Sequence, residues 1–263
     1  MSVNWDAAIV GAGVGGLAAA ALLAHRGKRV IVCERLAACG GRARNQHVDG
    51  YTLPNGAISY APGGALANVC KEVGAQFSIR ELEHNYFWLN GGDGFVEMPR
   101  RGTIMKAFEI LSQVKHKDAV KVGAGLAAQM SMAKIGTAIK KQKPLEANDR
   151  DISFRQGLER YTDDEDLLAL FHSITSTISQ VNDYEYPARH WFAHTSESVA
   201  DGRFNAHALV DGGFQALGEA LADVVIRHGG EVRLSTPVAQ IQIEDGQATG
   251  LVVKAASGEE TIN

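Results

Sequence analysis

The chain has 263 residues, with 26 Lys and Arg against 30 Asp and Glu and a formal net charge of −4; 45% hydrophobic and 21% charged residues suit a globular protein with one large or two modest cores. No basic stripe interleaved with aromatics supports nucleic acid as a partner, and no apolar run approaches the roughly 18–20 residues that a membrane-spanning helix needs. Cys33, Cys39 and Cys70 make no disulfide framework and lack metal-ligand spacing, and Met1 to Asp6 has no basic leader, so a reduced, cytoplasmic location without a metal is expected.

The first element is a short apolar strand, Ala7 to Val10, which runs into Gly11-Ala12-Gly13-Val14-Gly15-Gly16. An alanine- and leucine-rich helix follows from about Val14 to Arg26, with Gly27 as its C-cap. Gly11 allows a tight turn out of the strand, Gly13 lets backbone approach a pyrophosphate, and Gly16 lets the helix pack closely on the sheet. The pyrophosphate would rest on free N–H groups at the positive end of the helix dipole. A second strand, Arg29 to Cys33, ends in Glu34, eighteen residues beyond Gly16. A carboxylate there accepts hydrogen bonds from adenosine ribose hydroxyls and repels a 2′-phosphate, which disfavours NADP. Arg42 and Arg44 emerge from the glycine-rich connection Ala37 to Gly41 and read either as pyrophosphate contacts or as a solvated loop. The strand, turn, helix, spacing and terminal acid together describe a site for an ADP-containing cofactor. Gly15, Arg35 and Gly41 complete the local candidates.

Tyr51 to Ala57 reads as an extended segment ending in a turn, and Gly63 to Val73 as a helix. Phe87-Trp88-Leu89 and Phe95-Val96-Glu97 flank a glycine-rich turn and open a different domain. Arg100 to Lys143 is helical in pattern and basic, ten Lys or Arg against Glu109 and Asp118, whereas Pro144 to Glu185 is acidic around Asp163-Asp164-Glu165-Asp166. These stretches read either as complementary solvated faces or, for the basic one, as helices resting on an anionic membrane surface. His190 and His194 share a helical face but have too few companions for a metal site. Trp191, Phe192 and Phe204 read as lining for a core or an apolar cavity.

After Asp211-Gly212-Gly213, a helix is expected from Phe214 to His228, then strands at Glu231 to Leu234, Val238 to Ile243 and Ala248 to Lys254 with Asp245-Gly246 as a turn. Helices between two α/β stretches imply a discontinuous architecture. Residues 1–84 and 208–263 would form a doubly wound α/β cofactor domain with a β-meander, and 85–207 an inserted, mostly helical substrate cap.

Ile9 to Ala20, Glu34 and Gly40-Gly41-Arg42-Ala43-Arg44 resemble the N-terminal signature of FAD-dependent amine oxidases and phytoene desaturases. Asp211 to Leu217, Gly229 to Val232 and Thr236 to Ile241 are similar to the second conserved block of that superfamily, with the phytoene desaturase and retinol saturase branch nearest. The two blocks cover about half of the chain; the middle, Phe87 to Asn205, is unmatched. The resemblance implies a Rossmann-like FAD domain of the glutathione-reductase type. In it Gly11, Gly13 and Gly16 hold the FAD pyrophosphate, Glu34 the ribose, Arg42 the phosphate side of the flavin half, and Val238 the adenine through its backbone. Gly56, in Asn55-Gly56-Ala57, falls where the family has a turn near the ribityl chain.

Family members are longer, so the sequence is expected to correspond to an N-terminal portion that ends at Glu259 to Asn263 as a further strand begins, leaving an open edge after Val253 and room for a C-terminal partner chain. The expected activity is hydride transfer from a lipophilic polyene or an amine to the flavin, in the cytoplasm or at the membrane surface. No nucleophile or triad is required, and no catalytic residue is assigned. The alternatives are a catalytically inactive truncated flavoprotein, a binding protein like the GDP dissociation inhibitors, and an NAD-binding dehydrogenase.

Overall fold

The computed structural model describes residues 4–82, 85–88, 95–98, 123–124, 152–179, 181–191, 208–255 and 258–263. The chain divides into two compact units, Met1–Glu81 with His207–Asn263, and Leu82–Ala206.

In the first unit, strand β1 (Ala7–Val10) pairs in parallel with β2 (Val30–Cys33), and β2 in parallel with β9 (Glu231–Arg233). Helix α1 (Val14–His25), apolar on all sides, buries Leu17, Ala20, Ala21 and Ala24, the i, i+3, i+4, i+7 stripe of the face turned to the core. Helix α5 (Phe214–Arg227) adds Leu217, Leu221, Val224 and Val225 to the same core, and helix α2 (Ala65–Val73) adds Cys70 and Val73. Successive residues of β2 serve two cores, as the period of two requires in a strand covered on both faces. Val30 and Val32 pack with the helices, whereas Ile31 and Cys33 pack with Leu251, Val253 and Ile262 of a three-stranded antiparallel sheet. That sheet is β10 (Val238–Glu244), β11 (Gln247–Ala255) and β12 (Gly258–Ile262).

Three features differ from the sequence expectation. Gly258–Ile262 is already a strand paired with β11, so Val253 is fully buried between Val238 and Glu260 instead of opening an unpaired edge. Gly258, at φ 120, supplies the backbone bend that the turn into β12 needs. Next, the extended segment at Tyr51 is the second arm of a hairpin, β3 (Asn45–Val48) with β4 (Tyr51–Pro54), whose turn residues Asp49 and Gly50 have φ 50 and 82. Lastly, β8 (Ala208–Val210) pairs antiparallel with β5 (Ile79–Glu81), which brings the chain back into the first unit.

In the second unit, β6 (Asn85–Trp88) and β7 (Phe95–Met98) form an antiparallel pair. Helix α3 (Phe154–Glu159) and helix α4 (Glu165–Ser179) enclose a small core of Phe154, Leu158, Leu167, Leu168 and Phe171. Trp191 stacks on Phe154 with ring centroids 4.2 Å apart. His172 and the fully buried Asp183 pair at 2.7 Å, tying α4 to the segment after it. The acidic run has a structural origin, because Asp164 accepts from the Leu167 amide at 2.9 Å and Glu165 and Asp166 occupy the first turn of α4. Apart from residues 123 and 124, the basic stretch from 100 to 143 lies outside the described residues, as do Phe192, His194 and Phe204. No helix among the described residues is long and apolar enough to cross a membrane.

Candidate cofactor site

The four glycines of the first turn have two different reasons to be glycine. Gly11 has φ 101 and donates to the Cys33 carbonyl at 2.8 Å, so the chain leaves β1 through a left-handed bend. A Cβ on Gly16 would overlap the Gly11 carbonyl oxygen and lie 3.3 Å from Ile9 Cγ2. Those two positions are closed by the protein itself. A Cβ on Gly13 or Gly15, by contrast, would meet nothing within 4 Å. The outer side of the turn is open.

Helix α1 begins from Gly13 in extended backbone, with no side-chain cap and no acid in its first turn. Its first internally satisfied amide is Leu17, which donates to Gly13 at 2.9 Å. The amides of Val14, Gly15 and Gly16 therefore have no partner within the helix, and the dipole places partial positive charge there. This is a place for an anion that approaches backbone closely.

Glu34 is 6% exposed and braces the turn from the next strand. One carboxylate oxygen accepts from the Ala12 amide at 2.7 Å and the other from the Leu36 amide at 2.9 Å. Its backbone is held as well: Glu34 donates to the Arg233 carbonyl at 2.8 Å and accepts from Thr236 at 2.7 Å. A carboxylate offers about four acceptor positions, so two remain for hydroxyl donors. The Thr236 bond also brings the start of β10 to the end of β2. Val238 is half-buried there, its side chain packed against the core that contains Ile31 and Cys33.

The second glycine pair lies directly against the first turn. Gly40 donates to the Ala12 carbonyl at 2.8 Å, and a Cβ on Gly41 would come within 3.1 Å of Gly13 Cα. Behind it, Gly218 of α5 permits contact with Gly40, whose amide would stand 3.2 Å from an added Cβ. Sequence reasoning placed Ala12 and Gly40 in the two motifs without giving either a role, and it missed Gly218; a lone glycine inside a helical pattern was the available signal for the last. It also missed Asn45, whose side chain donates to the Gly212 carbonyl and whose amide donates to Gln215 Oε1 at 3.1 Å.

Gly11, Gly13, Gly15, Gly16, Glu34 and Gly41 are thus gathered at one end of the parallel sheet. Arg42 follows Gly41 and is exposed, and Arg35 is exposed just after Glu34. Gly56 sits against Arg42 through its backbone, since a Cβ there would overlap the Arg42 carbonyl oxygen. The three thiols are buried, and burial pushes Cys70 up to about 11, which makes it unreactive near neutral pH. No group of three or more metal-ligating side chains occurs among the described residues; His190 is exposed beyond Pro187.

The geometry fits the ADP half of a dinucleotide: an open amide-lined helix start for the diphosphate and a buried carboxylate at the adjacent strand end for the ribose. The chain matches the family of flavin containing amine oxidoreductases over residues 14–261 and belongs to it. The family is one of flavin-dependent oxidoreductases, and its cofactor is FAD.

The chain is 29% identical over 270 residues to the neurosporene-forming phytoene desaturase of Cereibacter sphaeroides, covering 96% of this chain and 50% of that protein. Among solved structures it is similar to an oxidoreductase from Methanosarcina mazei, 26% identical with TM-score 0.69, over 97% of this chain and 56% of that one. It also shares the fold of a putrescine oxidase bound to putrescine, 22% identical with TM-score 0.66, over 100% and 57% of the two chains. The chain spans about half the length of the relatives it matches.

Proposed function

We propose that this chain is the FAD-holding portion of a desaturase-type oxidoreductase that acts on a lipophilic polyene. The observation that carries the reading is the start of α1, uncapped, free of acids and open at Gly13 and Gly15, with Glu34 buried beside it. The amides of Val14 to Gly16 would hold the diphosphate, Glu34 the adenosine ribose, Arg42 the phosphate on the flavin side, and the Val238 backbone the adenine. Gly41 keeps the second loop low enough for that approach. FAD, when bound, supplies the acceptor for a hydride from an allylic carbon, a proton leaving the substrate as the double bond forms.

The second unit is assigned as the cap that shields the substrate from water. The phytoene desaturase relative, matched along nearly the whole chain, favours a polyene over an amine. With such a substrate, the basic residues between 100 and 143 would rest on an anionic membrane surface facing the cytoplasm. A binding protein on the same fold would have no need of a buried Glu34 or an open helix start.

The test is the visible absorption spectrum of the purified chain with added FAD, with Glu34→Ala as the control. Wild-type protein is expected to retain flavin, and Glu34→Ala to bind it at least tenfold more weakly, since hydrogen bonds to a charged group contribute about 1.5–3 kcal/mol. Folded wild-type protein that takes up no flavin overturns the proposal.

A further inference from the structure

Helices α1 and α5 end next to one another, each on a histidine: His25 is the last residue of α1 and His228 caps α5. Both ends are closed by a left-handed glycine, Gly27 at φ 79 and Gly229 at φ 80, whose amides donate to the Ala24 and Ile226 carbonyls at 2.9 Å. The backbone under each imidazole is therefore held, while both histidines stand exposed. Their ring centres lie 5.3 Å apart with the planes at 82°. The neighbouring arginines are engaged elsewhere, Arg26 with Glu72 at 3.0 Å and Arg227 with Asp223 at 2.8 Å and the Gly74 carbonyl at 3.2 Å. Two helix C-termini add partial negative charge at the same place.

We propose that His25 and His228 together bind one divalent transition-metal ion of the zinc type, at a surface site remote from the cofactor turn. Imidazole nitrogens suit zinc, copper and nickel. A zinc ion bonds such a nitrogen at about 2.0–2.1 Å, which puts each ring centre about 3.2 Å from the ion, and a tetrahedral angle of about 109° then separates the two centres by about 5.2 Å. The observed separation is 5.3 Å. The terminal torsion of a histidine is broad, and its axis runs close to the ring centre, so each exposed ring can turn a nitrogen towards the ion with the centres unmoved. The two residues are far apart in sequence, and no rule of ligand spacing brings them together; the fold does. With two protein ligands, water keeps the remaining positions, which makes the site open and exchangeable. It stands at the opposite end of α1 from Gly13, along a helix of 12 residues, about 18 Å at 1.5 Å per residue. The inference is independent of the proposed function. The rival reading is an edge-to-face contact without an ion, which aromatic rings make at centre separations of about 4.5–7 Å.

The probe is zinc chloride, added to the full untagged 263-residue chain with isotope-labelled histidines. The readouts are the imidazole nitrogen resonances and the dissociation constant from calorimetry. The ring nitrogens of His25 and His228 are expected to shift together and to saturate at one ion per chain, ahead of the other histidines. His25→Gln and His228→Gln each remove one ligand from an exposed position. Each is expected to weaken binding about tenfold or more, because the second nitrogen acts at high effective concentration once the first is bound. His190→Gln, at an exposed position of the second unit, is expected to change nothing. A shift of one ring without the other, earlier saturation of a different histidine, or an affinity within about twofold of wild type in either of the paired variants overturns the proposal and leaves the rings in edge contact alone. Zinc affinity is expected to be the same with and without FAD; competition between the two would place the ion at the phosphate turn and overturn the proposal as well.

Discussion

Helices α1 and α4 start in opposite ways. α4 opens with Asp164 accepting from the Leu167 amide and with Glu165 and Asp166 in its first turn, and α3 opens with a full capping box between Ser153 and Gln156. α1 opens on glycine, with no side-chain cap and no acid. Lack of a cap does not by itself mark a site, since α5 also starts on glycine. There, however, Asn45 fills the place where a Gly213 side chain would go. What distinguishes α1 is that its orphan amides face open space, beside a buried acid already engaged with the turn.

The hardest break of this contrast is Gly16→Ala. Its methyl would overlap the Gly11 carbonyl, backbone that cannot move without opening the turn. Overpacking of this kind costs about 3 kcal/mol, to be read from urea unfolding, and flavin retention should vanish with it. Gly13→Asp sharpens the contrast from the other side. The backbone at Gly13 is extended and its Cβ would meet nothing within 4 Å, so an aspartate fits and gives α1 a cap like that of α4. Stability should rise by roughly a few tenths of a kcal/mol, while FAD binding falls about a hundredfold because charge and bulk now occupy the anion's place. Asp164→Ala performs the reverse exchange on α4. A loss of about 1 kcal/mol is expected, with FAD titration unchanged.

The cofactor turn was legible because glycine is needed there for reasons that leave a fixed spacing: a left-handed bend at Gly11, contact at Gly16 and open approach at Gly13. Glu34 was legible for the same reason, as a strand-end position at a set distance. The β3–β4 hairpin carried as plain a signal, Asp49-Gly50, equal to the Asp245-Gly246 that marked the β10–β11 turn. It was missed because Asn45 to Val48 is too polar to read as a strand, being held by pairing to β4 and by the Asn45 bonds to Gly212 and to Gln215 of α5. β12 was obscured similarly, as Gly-Glu-Glu-Thr-Ile has one apolar residue, Ile262, buried against the meander core. Gly218 carried only the signal of a lone glycine inside a helix, which does not name its partner, because the contact that needs it is with Gly40, far away in sequence.

The smallest expected effect separates the two units by pH. All three cysteines lie in the first unit, and burial is the largest cause raising each of them, Cys70 to about 11 from a usual 9.0. The unfolded chain therefore releases thiol protons at lower pH than the folded one. Stability is unaffected below pH 9 and falls as pH rises towards 11, because only the unfolded form gains from ionising. The second unit has no cysteine; its half-buried Tyr186 is raised in the same direction, but from 10.0. Between pH 9 and 10 the loss should accordingly fall on the first unit alone. Hydrogen exchange at α1 and α4 across that range checks it: α1 amides should lose protection beyond the intrinsic rise in exchange rate while α4 amides do not, and Cys70→Ser should remove most of the difference.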